Sequence, residues 1–151
     1  MRFRIQSAVA ILLGLTATAA ESQQPSYFRH DYGVAKGQQP LPADFSTDAK
    51  QLWRTPLPAG HSSPCVCGDS VFLTTFLADE KELATVGLDR ATGGVRWKKV
   101  VPTKSIEPFH ITGSPATATP ACNGKQVFSF FGSYGLLCYD LDGNLLWEKA
   151  M

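Results

Sequence analysis

From Val71 onward the chain alternates apolar and polar residues, and glycine, aspartate and asparagine cut the runs at short intervals. A period of two predicts strands with one face toward a core, and the interruptions predict turns. The clearest instance lies mid-chain. Val86 and Leu88 alternate with their neighbours up to Asp89-Arg90-Ala91-Thr92-Gly93-Gly94, after which Val95 and Trp97 resume the alternation. Asp89 and Thr92 suit the turn because short polar side chains bond nearby backbone N–H groups, and Gly93 and Gly94 can take a positive φ.

The same reading predicts a first strand over 63–66, a turn at Gly68-Asp69 and a second strand over 71–76, rich in β-branched and aromatic residues. A charged turn at 79–82, a third strand over 82–88 and a fourth over 95–100 complete the unit. The order then repeats. Pro64, Gly68, Val71 and Phe72 recur as Pro120, Gly124, Val127 and Phe128, all at an offset of 56. Gly132-Ser133-Tyr134-Gly135 makes the middle turn of this second unit, 136–140 its third strand, Asp142-Gly143-Asn144 its last turn and 145–148 its closing strand. Upstream, Gln51-Leu52-Trp53-Arg54 reads as a strand ended by Pro56 and Pro58.

Tryptophans close these units at positions 53, 97 and 147, spacings of 44 and 50 residues. Periods of this size belong to propeller blades of four strands. The expected fold is all-β, a partial β-propeller of four-stranded antiparallel blades: one blade over 61–101, one over 115–150 and a ring-closing strand over 51–55. Rings need about 4 to 8 blades. The chain therefore reads as an N-terminal fragment, a truncated reading frame or an early stop.

A 44% hydrophobic share in 151 residues is enough for one ordinary core. The first twenty residues stand apart. Arg2 and Arg4 precede an apolar run from Ala8 to Leu15 and small residues through Ala20, the pattern of a secretory signal peptide cleaved after Ala19 or Ala20. The run is short for a membrane span, and an uncleaved anchor is the alternative. Removing the two arginines takes the formal charge from +1 to −1, and no basic stripe points to nucleic acid. The product is expected to be periplasmic or secreted. Residues 21–50, rich in Gln, Pro and Gly, read as an irregular arm, and His30-Asp31 within it as an exposed loop pair. Four cysteines allow three pairings; buried strand thiols are favoured over a bridge, and the spacing of Cys122 and Cys138 does not suit a zinc knuckle.

The residues resemble the PQQ-like β-propeller repeat family, named for the quinoprotein alcohol dehydrogenases and including the BamB-type outer-membrane assembly proteins. The stretch around Asp89 is similar to that family's tryptophan-docking motif, small-x-Asp-x-x-x-Gly-x-x-x-Trp, through Gly87, Asp89, Gly93 and Trp97, with Thr92 at a frequent threonine position. Cys138, Asp140, Gly143 and Trp147 resemble a second copy, one residue shorter between aspartate and glycine. The resemblance implies a structural role for these residues and for Trp53, with the indoles stacked between blades.

Chemistry is expected where loops enter the innermost strands, since those loops surround a propeller's central channel. Here they carry His61, Ser62, Ser63, Glu107, His110, Thr112 and Ser114. Two histidines and a carboxylate can hold a metal, and serine with histidine can form a nucleophile and base, but neither set has a diagnostic spacing. Two functions follow. One is a non-catalytic exported propeller that binds a protein partner in the envelope, forming oligomers only if the short chain is the true product. The other, implied by the resemblance, is the N-terminal part of a PQQ-dependent quinoprotein oxidoreductase whose active site, with its calcium-ligating carboxylates, catalytic aspartate and adjacent cysteine pair, lies mostly in missing blades; Cys65-Val66-Cys67 is not such a pair.

Overall fold

The computed structural model describes residues 51–151; the signal-like segment, the arm over 21–50 and the His30-Asp31 pair lie outside the described residues. Eight strands form two four-stranded antiparallel sheets, each a simple meander. The first blade contains β1 (Cys65–Cys67), β2 (Ser70–Leu77), β3 (Glu82–Asp89) and β4 (Val95–Val100). The second contains β5 (Ala121–Cys122), β6 (Gln126–Phe131), β7 (Gly135–Asp140) and β8 (Leu145–Ala150).

The repeat extends to the pairing register. Cys65 faces Phe72 and Val66 faces Val71 in the first blade, and Ala121 faces Phe128 and Cys122 faces Val127 in the second, so the offset of 56 holds across the inner hairpin. The middle hairpin is shorter in the second blade, which places Cys138 opposite Phe128 where Gly87 stands opposite Phe72. Both blades shift register at one place, after Gly87 and after Cys138. The extra residue is Arg96 on β4 and Leu146 on β8. A bulge there twists the outer strand and turns its side chain out of the regular alternation.

Two apolar clusters join the blades. Phe76, Leu83 and Val101 meet Phe131, Leu137 and Tyr139 in one. Cys65, Cys67, Phe72 and Trp97 meet Cys122 and Val127 in the other. On the far face of the first blade, Val71, Val86 and Leu88 pack against Trp53 and Leu57. Each fully buried side chain such as Phe72 contributes roughly 1.5–3 kcal/mol of transfer free energy.

Three expectations need correction. Residues 51–55 form no strand. Lacking a strand neighbour to take up its backbone groups, this stretch is held by its side chains instead. The first strand begins at Cys65 rather than Ser63. Ser63 N–H bonds to the Thr119 hydroxyl at 3.0 Å, and Pro64 has no N–H to offer a ladder. The preference for buried thiols fails for one pair: Cys67 and Cys122 form a disulfide across the two inner strands, with Cα atoms 6.2 Å apart. Cys65 and Cys138 are buried and lie outside that bond.

Candidate functional site

Two places in the fold gather polar and aromatic groups: the seam between a tryptophan and the next blade's turn, and the end where connections enter β1 and β5. The seam begins with the aspartate turns. Asp89 Oδ1 accepts the N–H of Ala91 at 3.0 Å, the N–H of Thr92 at 2.9 Å and the Thr92 hydroxyl at 3.0 Å. The bulge brings Arg96 onto Asp89 Oδ2. The Arg96 hydrogen bond, then those from Thr92, hold the Asp89 carboxyl down at about 2. Gly93 follows with φ +72.

The shorter second turn reaches the same arrangement with different residues. Asp140 Oδ1 accepts from Asp142 N–H at 3.0 Å and Asn144 N–H at 2.8 Å, while the Asn144 amide donates to Oδ2 at 2.8 Å. Asn144 therefore stands in for both Thr92 and Arg96, and its bonds lower the Asp140 pKa. Gly143 takes φ +82.

Each turn receives an indole. Trp53 Nε1 donates to the Arg90 carbonyl at 2.9 Å, and Trp97 Nε1 donates to the Leu141 carbonyl at 2.9 Å. Arg90 and Leu141 each directly follow the turn aspartate. A Cβ built on Gly93 would lie 2.4 Å from Trp53, and one on Gly143 would lie 2.6 Å from Trp97, so only glycine admits the ring. Gly87 clears the ring's other side, since a Cβ there would lie 2.6 Å from Trp97. Trp97 is 9% exposed and packs on Phe72 and Tyr139. Trp147 packs on Phe128 in the same manner but is 43% exposed.

At the other end, the connections brace the blades. His61 N–H donates to the Ala116 carbonyl at 2.9 Å, and the Thr74 hydroxyl donates to the Ala118 carbonyl at 3.3 Å. Ser62 Oγ accepts from Thr74 N–H at 3.0 Å. Glu107 N–H donates to the Ser133 hydroxyl at 3.0 Å, and its carboxylate lies against Gly132, where a Cβ would come within 2.2 Å. His110 Nδ1 lies 2.8 Å from the Thr112 hydroxyl, and Ser114 Oγ accepts from Ala116 N–H at 3.1 Å. A cavity of about 610 Å³ between Phe76, Lys81, Lys104 and Phe109 opens at this end.

The candidate residues thus share one end without converging. Among the described residues no group of three or more His, Cys, Asp and Glu side chains comes together, so His61, Glu107 and His110 are not gathered as a metal set. Among the described residues no carboxylate set comes together that could hold the calcium the resemblance implies for a dehydrogenase. One half of Cys65-Val66-Cys67 is bonded to Cys122 instead.

Sequence reasoning missed Arg90, Leu141, Arg96 and Asn144. The first two act through backbone carbonyls, which carry no side-chain signature. Arg96 reaches Asp89 only through a bulge invisible in the alternation. Asn144 was in view as a turn residue, and its spacing of four from Asp140 was the available signal.

The family model described as outer membrane protein assembly factor BamB matches residues 34–151. No curated protein matches the chain. No helix among the described residues is long and apolar enough to cross a membrane.

Proposed function

The chain belongs to the PQQ-repeat family of the outer membrane protein assembly factor BamB, and from that membership we propose that it is an exported, non-catalytic propeller protein that binds a protein partner in the cell envelope. The observation that carries this reading is the state of the connection over 102–119. The Thr103 hydroxyl and the Glu107 N–H tie it to Ser133, while Phe109 and Ile111 stand 47% and 92% exposed. Large apolar side chains on a braced loop offer a partner contact area at low ordering cost.

Export is supported by the signal-like pattern over 1–20 and by the Cys67–Cys122 bond, since disulfides persist in oxidising compartments. In this reading Trp53, Trp97 and Trp147, with Gly87, Asp89, Thr92, Gly93, Asp140 and Gly143, are structural residues that dock one blade on the next.

The test is retention on purified outer-membrane assembly components, with Phe109→Ala/Ile111→Ala beside the unaltered chain. Binding that the double substitution removes supports the reading. A stoichiometric complex with pyrroloquinoline quinone and calcium, with no protein retained, would favour the quinoprotein oxidoreductase instead.

A further inference from the structure

The β2–β3 turn over 78–81 and the connection over 103–109 face each other across a groove. It consists of the cavity of about 610 Å³ beside Phe76 and Phe109 and a smaller one of about 190 Å³. Lys81, Lys104, Ser105 and Ile106 line both, so the two are continuous. Both walls lie within residues 76–109, in the interior of the described chain.

The charges along the groove are ordered. The two lysines stand where the hollows meet, while Glu80 borders only the smaller hollow and Glu107 only the larger. The Glu107 carboxylate lies against Gly132 of the second blade. Among the described residues neither lysine has an ion-pair partner, whereas Arg96 and Lys98 on β4 are bonded to Asp89 and Glu82. The middle of the groove is therefore cationic, with one carboxylate toward each end. Past the lysines the larger hollow turns apolar. Phe109 meets Phe76 edge-on with ring centres 5.6 Å apart, and Ile106 packs on the inter-blade core.

Lys81 also carries backbone strain. It is the one non-glycine residue with positive φ among the described residues, at +50, in a turn closed by its N–H on the Ala78 carbonyl at 3.2 Å. Glycine adopts this conformation freely, and a residue with a Cβ adopts it at a cost. Such strain persists chiefly where the side chain serves a function.

We propose that this groove binds an extended segment of the partner protein, with one carboxylate held by Lys81 and Lys104 and a neighbouring aromatic or large aliphatic side chain on Phe76, Ile106 and Phe109. The inference rests on the reading that the chain binds a protein partner, and it assigns that partner's chemistry. The groove continues on both sides of the lysines, which suits an extended peptide; a small carboxylate would fill only its middle. Glu80 and Glu107 set the specificity. A run of acidic residues would place like charges against one or both, so a single carboxylate is preferred.

Fluorescence anisotropy with short labelled peptides tests the site. One peptide has a single aspartate beside a phenylalanine, the second has asparagine in place of that aspartate, and the third has aspartates on both sides throughout. The first is expected to bind, and the other two about tenfold more weakly, the loss that two solvent-facing ion pairs account for. Lys81→Glu/Lys104→Glu should weaken the first peptide by about tenfold or more, and Lys125→Glu, the same charge change in the β5–β6 turn, should leave it unchanged. Lys81→Gly separates the site from the fold, because glycine suits that backbone: binding should weaken with no loss in thermal midpoint.

Equal affinity for the aspartate and asparagine peptides, or for Lys81→Gly and the unaltered chain, overturns the proposal. Retention on outer-membrane assembly components separates it from the reading beneath it. If Lys81→Glu/Lys104→Glu is retained like the unaltered chain while Phe109→Ala/Ile111→Ala is not, the groove proposal falls and partner binding stands. If the unaltered chain is not retained and no peptide binds, both fall.

Discussion

Trp97 lies against the backbone of Gly143, one blade away, so closely that a single methyl group on that glycine would enter the ring. The indole N–H completes the contact on the Leu141 carbonyl. The two blades are therefore joined through a position where side-chain absence and left-handed backbone are both needed.

Gly143→Ala should lower stability by about 2–4 kcal/mol, combining overpacking with left-handed strain. Gly124, at φ +88, has the same backbone requirement. Denaturant unfolding of the two alanine variants checks the difference: equal losses would assign the whole effect to the backbone.

Trp97→Ala should cost about 3–5 kcal/mol, the range for removing a large buried aromatic. Trp147→Ala should cost about 1 kcal/mol or less, as an exposed site does. Urea midpoints measured at low protein concentration rank the pair, and a reversed order would remove the inter-blade role from Trp97.

The Cys67–Cys122 bond closes a sequence separation of 55 residues. On the chain-entropy account, a loop of that size stabilises by about 4 kcal/mol. Unfolding of Cys67→Ser/Cys122→Ser against the oxidised chain should show a loss of that order. A reductant should shift the unaltered chain and leave the double variant where it was.

Asp89 has a folded pKa of about 2, below its unfolded value, so its contribution is present above the unfolded pKa and is lost as pH falls through the folded one. Thermal midpoints of the unaltered chain should therefore fall between about pH 4 and pH 2. Asp89→Asn should start lower and fall less over that window. The remaining slope includes Asp140, whose pKa is lowered in the same direction by Asn144. Parallel curves for the two proteins would show that the Asp89 turn is not the acid-sensitive element.

The alternation of residues, the turns and the tryptophan spacing were sufficient for the blade count in this stretch and for most strand limits. Those features are short-range: a strand's face follows from the residue two positions away, and a turn from the glycine or aspartate within it. The β4 limits, 95–100, match the expected ones, and the offset of 56 reappears as paired Cα partners. The candidate site was legible only as a set of loops. His61, Glu107 and His110 do share one end, but the backbone N–H groups of His61 and Glu107 bond Ala116 and Ser133, and the His110 imidazole bonds Thr112.

Sequence alone thus determined the repeating unit and the turns that divide it. Tertiary structure decided which cysteines bond, which carbonyls receive the indoles, and that residues 51–55 remain outside any sheet. The division has a physical cause. Periodicity specifies what each residue presents to its own sheet, whereas the Cys67–Cys122 bond and the Trp97–Leu141 hydrogen bond depend on the distance and angle between two sheets, and no local pattern encodes these.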